Sequence, residues 1–151
     1  MSGFNADKYL NAQNGSYGSY EQALAEIKRG RKTSHWIWYI FPQVKGLGYS
    51  STSNHYAIGS LDEARQYMAD PVLRGRLIEI SEALLAQDGS AEKIFGHTDA
   101  MKVRSCMTLF REAEPKAEVF GKVLDKFYGG KPDERTLKYL QNQQHDRSGS
   151  W

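Results

Sequence analysis

The sequence predicts an all-α protein: a single compact domain of about seven or eight helices in a non-repeating, orthogonal array. Three observations predict it. Residues that cap helices recur from end to end, apolar residues recur three and four positions apart, and no period-2 strand pairs flank a hairpin turn. Asn14-Gly15 has polar neighbours on both sides and reads as a helix end.

A first helix is expected from about Asp7 to Asn14, followed by the loop GSYGS. Ser19 with Gln22 three residues on is a capping box for a second helix, whose apolar face is Tyr20, Leu24 and Ile27 and whose end is Gly30. HWIWYIFPQ, residues 35–43, is halted by Pro42, which can neither donate to a ladder nor continue a helix. Residues 44–59, VKGLGYSSTSNHYAIG, are the most loop-like part of the chain. Ser60 and Glu63 form another capping box for a helix ending near Ala69, and Asp70-Pro71 restarts one with Asp at the cap and Pro at the first helical position. Leu73, Leu77, Ile80 and Leu84 then follow at helical spacing, and Gly89 closes the helix. SAEKIFG leads to Thr98 or Asp99, either of which can cap a helix reaching about Ala113, with Val103, Cys106, Met107 and Phe110 inward. Pro115 breaks it. Val119, Phe120, Val123, Leu124 and Phe127 build the next helix, stopped by Gly129-Gly130, and Asp133 caps a last one carrying Leu137 and Leu140. The domain is thus expected to span 1–142, with 143–151 a mobile tail that is polar until Trp151.

A chain of 151 residues buries enough surface as one domain to need no disulfide or metal staple. The single cysteine, Cys106, suits a reducing compartment, and the cytoplasm is the expected location. The N-terminus has neither the basic nor the apolar region of a signal peptide, and no run approaches the ~18 apolar residues of a membrane span. A net charge of +2, with 20 basic and 18 acidic residues interspersed, is too balanced for a nucleic-acid-binding surface or an anionic-membrane surface.

Chemistry concentrates in three places. HWIWYIFPQ is either a buried helix or an aromatic wall, with Trp36 and Ile40 on one side, Trp38 and Phe41 on another, and His35 and Gln43 at its ends. In the loop that follows, Gly46 and Gly48 permit close backbone approach while Ser50, Ser51, Thr52 and Ser53 supply hydroxyls, a composition suited to holding an anion. The loop matches neither a P-loop nor a dinucleotide fingerprint. KRGRK, residues 28–32, sets Arg31 and Lys32 beside a helix end, where cations either complement the helix dipole or capture a phosphate. In the Thr98–Ala113 helix, Asp99, Lys102, Ser105 and Thr108 follow one another at offsets of three, along one side that faces water or a shared site. His35, His55, His97 and His145 lack short-range ligand spacing, so neither a metal nor a cofactor is expected.

SHWIWYIFPQ, GLGYSS, Tyr56-Ala57-Ile58, SLDEARQYMADPVLRGRL, IFGHTDAMKVRSCMTLF and VLDKFYGG occur in order over about residues 4–142. Taken jointly, they resemble the family known as domain of unknown function 1810. The resemblance implies a compact, mainly helical fold found largely in bacteria, with no established activity. Its members are often labelled calpastatin automatically, but calpastatin proper is a disordered protease inhibitor and this chain is rich in capped helices. The family pattern usually has His-Pro where Ala69-Asp70-Pro71 stands here, so no histidine is required at Asp70. It emphasises His35, Trp36, Trp38, Phe41, Pro42, Gln43, Gly46, Gly48, Ser50, Lys102 and Ser105.

The leading functional expectation is a small-molecule binding domain, or an enzyme, for an anionic ligand such as a nucleotide or sugar phosphate. Trp36 or Trp38 would stack on a ring, with Gln43 at the margin of that wall. The Gly46–Ser51 loop would take the anion, Arg31, Lys102 and Ser105 would assist, and His35 or His55 would act as acid or base. The alternative is a non-enzymatic module for a protein or peptide partner, using KRGRK and the tail with Trp151.

Overall fold

Side chains begin the helices largely where the sequence predicts. In the computed structural model, which describes residues 4–149 and their side chains through 143, Asn5 caps α1 (Ala6–Gln13) and Ser19 caps α2 (Tyr20–Lys28). Ser19 Oγ accepts from Gln22 N at 3.1 Å, while Gln22 Oε1 reaches back to Gly18 N at 2.8 Å. The short α3 (Ile37–Ile40) lies inside the aromatic run, and α4 (Ser51–Tyr56) lies inside the region expected to be loop. Ser60 caps α5 (Leu61–Ala69), and Asp70 Oδ1 accepts from Val72 N and Leu73 N to cap α6 (Pro71–Leu85). Ser90 caps the short α7 (Ala91–Phe95).

The long α8 (His97–Ala113) corrects one expectation. It starts before Thr98 and Asp99, after Gly96, whose φ of 81° is a conformation glycine adopts without a Cβ penalty. Asp99 is thereby released from capping. Helices α9 (Val119–Tyr128) and α10 (Glu134–Gly149) complete ten helices among the described residues, against the seven or eight expected; α4 and α7 are the additions. Trp151 and the side chains of 144–151, on which the expected tail rests, lie outside the described residues. No strand occurs among the described residues, only a single parallel bridge between Val44 and Ile58. The fold is all-α. No helix of the described residues is long and apolar enough to cross a membrane.

The second half of α8 is buried on nearly every side, from Ser105 through Phe110, and α3, α5, α7, α9 and α10 all pack against it. Cys106 sits there fully buried, and desolvation pushes its thiol pKa up, as suits a core residue and not a nucleophile. Around it the aromatic rings of Tyr9, Tyr67, Phe110 and Phe120 form a chain of contacts 5.2–6.1 Å between centroids.

One charge lies inside this core. Glu26, on the buried face of α2, is 1% exposed. Its Oε1 accepts from Thr33 N at 2.7 Å, Ser34 N at 3.0 Å and Trp36 Nε1 at 3.0 Å, and its Oε2 accepts from Ser34 Oγ at 2.6 Å. Burial is the largest influence and works to raise its pKa, but the four hydrogen bonds together outweigh it and take the carboxyl from 4.5 to about 2. Because the folded value is depressed, the stabilisation is complete above about pH 4.5 and is lost as pH falls through about 2. Glu26→Gln turns an amide donor toward these donors, and we expect it to cost roughly 1.5–3 kcal/mol at neutral pH. Denaturant melts should show the gap to wild type shrinking as pH drops through that window.

Candidate functional site

With its indole donated to Glu26, Trp36 is fully buried and has no face to offer a ligand. Two residues on, about 200° around the helix, Trp38 emerges half-buried. The rest of HWIWYIFPQ is core apart from His35, which is exposed. The expected pairing of Trp38 with Phe41 does not form. Phe41 leaves the helix at φ −122°, ψ 74° and packs on Trp36 and edge-on against Phe95, with centroids 6.2 and 5.8 Å apart. Gln13, buried on α1, holds the other side of the segment by donating to Tyr39 O at 2.8 Å.

The region after Pro42 is a closed excursion. Ile58 N donates to Gln43 O at 2.7 Å and Lys45 N to Ile58 O at 3.0 Å, so its two ends are joined. Helix α4 inside it is clamped by α1, with Lys8 Nζ donating to His55 O and Tyr9 OH to Tyr56 O, both at 2.7 Å. The expected anion loop is differently employed. Ser50 Oγ caps α4 by accepting from Ser53 N, Gly48 packs directly on Ser53, and Gly46 offers its carbonyl to Arg135 Nη2 at 3.4 Å. Of the expected hydroxyls, Ser51 reaches an open hollow.

That hollow, about 480 Å³, is lined by Trp38, Tyr39, Ser51, Thr52, His55 and Tyr56. Lys102 Nζ stands 5.4 Å from the Trp38 ring centroid, within cation–π range. Asp99, free of capping duty, bridges two lysines: its Oδ2 is 2.7 Å from Lys32 Nζ and its Oδ1 is 3.5 Å from Lys102 Nζ. Lys32 is the committed partner, with a side chain 8% exposed and its ammonium 5.2 Å from the Trp36 ring centroid. Two lysines sharing one carboxylate leave a net positive charge beside Trp38.

The structure therefore gathers Trp38, Ser51 and His55 on the hollow, sets Lys102 over the Trp38 ring but on the wall of a neighbouring opening, and separates the others. Arg31 lies in a different groove with Lys93, Phe95 and Gly96. His35 lines neither opening. Gln43 is buried and donates to Phe41 O. Ser105 is buried against Thr136, 2.7 Å between hydroxyls, because the stripe from Asp99 to Thr108 turns from surface to core beneath α10. Sequence reasoning missed Tyr39 and Tyr56 in the hollow, and also Arg135. One signal was available for Arg135: a cation in the first turn of a helix opposes the helix dipole, so its placement calls for another reason.

The family described as "Protein of unknown function (DUF1810)" matches residues 3–140. This chain belongs to the DUF1810 family. It is also similar to the crystal structure of the conserved hypothetical protein Rv1873 from Mycobacterium tuberculosis, at 38% identity and a TM-score of 0.88 over 93% of this chain and 99% of that one. No functionally curated protein matches the chain.

In this DUF1810 chain the excursion depends on Gly48, where a Cβ would stand 2.4 Å from Ser53 Oγ and 2.8 Å from Ser53 Cβ. The hydroxyl can rotate away, but the Cβ cannot. Gly48→Ala is expected to destabilise by roughly 1–3 kcal/mol. In a Ser53→Gly background the same change should cost markedly less, as thermal melts of the four proteins would show.

Proposed function

We propose that this protein binds a small anionic molecule carrying a ring, of the nucleotide or sugar-phosphate class, in the Trp38 hollow. The observation that carries the reading is Trp38 itself. It is the tryptophan of the aromatic run that the core leaves half-exposed, and it opens on Ser51, Thr52 and His55 under the charge of Lys102. A ring stacked on the open side of an indole gains roughly 1–3 kcal/mol, and the Lys102 ammonium over the same indole favours an anion. The volume of about 480 Å³ falls in the range of small-molecule sites. If turnover accompanies binding, His55 is the acid or base at hand, acting on water. Buried Cys106 suits a reducing compartment, which supports a cytoplasmic location.

A thermal-shift screen against nucleotides, ADP-ribose, sugar phosphates and inorganic phosphate tests this. A ligand at 100 times its Kd adds about 2.7 kcal/mol and should raise the Tm by roughly 5–10 °C. Trp38→Ala should weaken binding about 10- to 100-fold while leaving the apo melt within a few degrees of wild type. A shift unchanged in Trp38→Ala would overturn the assignment.

A further inference from the structure

A second opening lies next to the hollow, and the residues lining the two do not overlap. It is a half-open cavity of about 150 Å³ lined by Leu47 from the excursion, Thr98, Met101 and Lys102 from the first turns of α8, and Asp133 and Arg135 from the start of α10. Met101 is 50% exposed, one of few large apolar side chains left in water. Arg135 is tethered to the excursion through Gly46 O, which leaves the rest of its guanidinium fork for another acceptor.

We infer that this cavity binds a small organic monocarboxylate, independently of the ring-binding hollow. Size, wall chemistry and charge agree. A cavity of this volume holds about six heavy atoms, the size of benzene, which is far too few for a nucleotide. Its walls divide into an apolar part, Leu47 and Met101, and a cationic part, Lys102 and Arg135, matching a short hydrocarbon body with an anionic head. The charges set the valence. Asp99 is already matched by Lys32, and Asp133, whose Oδ2 accepts from Thr136 N at 2.9 Å and Thr136 Oγ1 at 2.6 Å, offsets one of the two cations. One positive charge remains. It pairs with a carboxylate, whereas a phosphate dianion would keep one negative charge unmatched in a half-enclosed site.

Isothermal titration of the full chain with acetate, butyrate, octanoate, butylamine and inorganic phosphate tests the inference. Butyrate should bind saturably and more tightly than the other four. Arg135→Gln should weaken it about tenfold or more, and Leu47→Trp, which fills the cavity, should abolish it while the melt stays cooperative. Thr52→Trp, which obstructs the hollow at a residue that does not line this cavity, should leave butyrate affinity unchanged even where it removes the ring ligand, so the two sites fail separately. No saturable butyrate binding, phosphate binding as tightly as butyrate, or an Arg135→Gln protein with wild-type affinity would each overturn the proposal. Loss of butyrate binding in Thr52→Trp would overturn it too, by seating the carboxylate in the hollow instead.

Discussion

The segment from Thr33 to Trp36 hangs on one buried carboxylate. Four donors converge on Glu26, two of them backbone N–H groups in a stretch that belongs to no helix and has no ladder to satisfy them. Without the carboxylate the Ser34 and Trp36 donors would be buried unpaired, each at a cost of about 1–3 kcal/mol. An apolar residue at position 26 would leave the same donors stranded. The charge is tolerable because every lone-pair direction it needs is met, which is also why its pKa is depressed in a place where burial alone would raise it.

The consequences run outward from there. Pinning the Trp36 indole inward fixes the rotation of α3, and the rotation of α3 turns Trp38 toward the surface. Gln13 holds the far end of the same turn, and the bridge between Val44 and Ile58 brings α4 back so that Ser51, Thr52 and His55 face the exposed indole. Lys32, from the strand of chain that Glu26 organises, fixes Asp99, and Asp99 steadies Lys102 near the ring. A conventional cap at Asp99 would have broken this relay. Gly96 makes the relay possible by starting α8 one turn early without help from a side chain.

Much of the fold was legible because helix capping is local. Ser19, Ser60, Asp70 and Asp133 announce their helices through hydroxyl or carboxylate groups a fixed number of residues ahead of the N–H they accept, and all four do so here. Helix α4 was missed because STSNHY consists of poor helix formers, and what holds it besides the Ser50 cap is tertiary: the grip of Lys8 and Tyr9 on its last carbonyls. The site was legible only in part for a related reason. Trp36 and Trp38 are the same residue type two positions apart, and which one faces water depends on Glu26, ten residues upstream of Trp36 and paired with it by folding. Arg135 and Met101 come from separate helices that meet only in three dimensions. Ser105 shows the converse, a polar residue at a surface-like spacing that is absorbed by Thr136 in the core.

The most direct test of this account is an NMR titration of the full chain, following the Trp36 indole proton and the Thr33 and Ser34 amides downward through the carboxylate range. If the ionised Glu26 side chain organises the segment, the three signals will move together with a midpoint near pH 2. A midpoint near the ordinary value of 4.5, or three signals moving independently, would mean that the carboxylate is not held by these donors, and the account of how Trp38 is presented would fall with it.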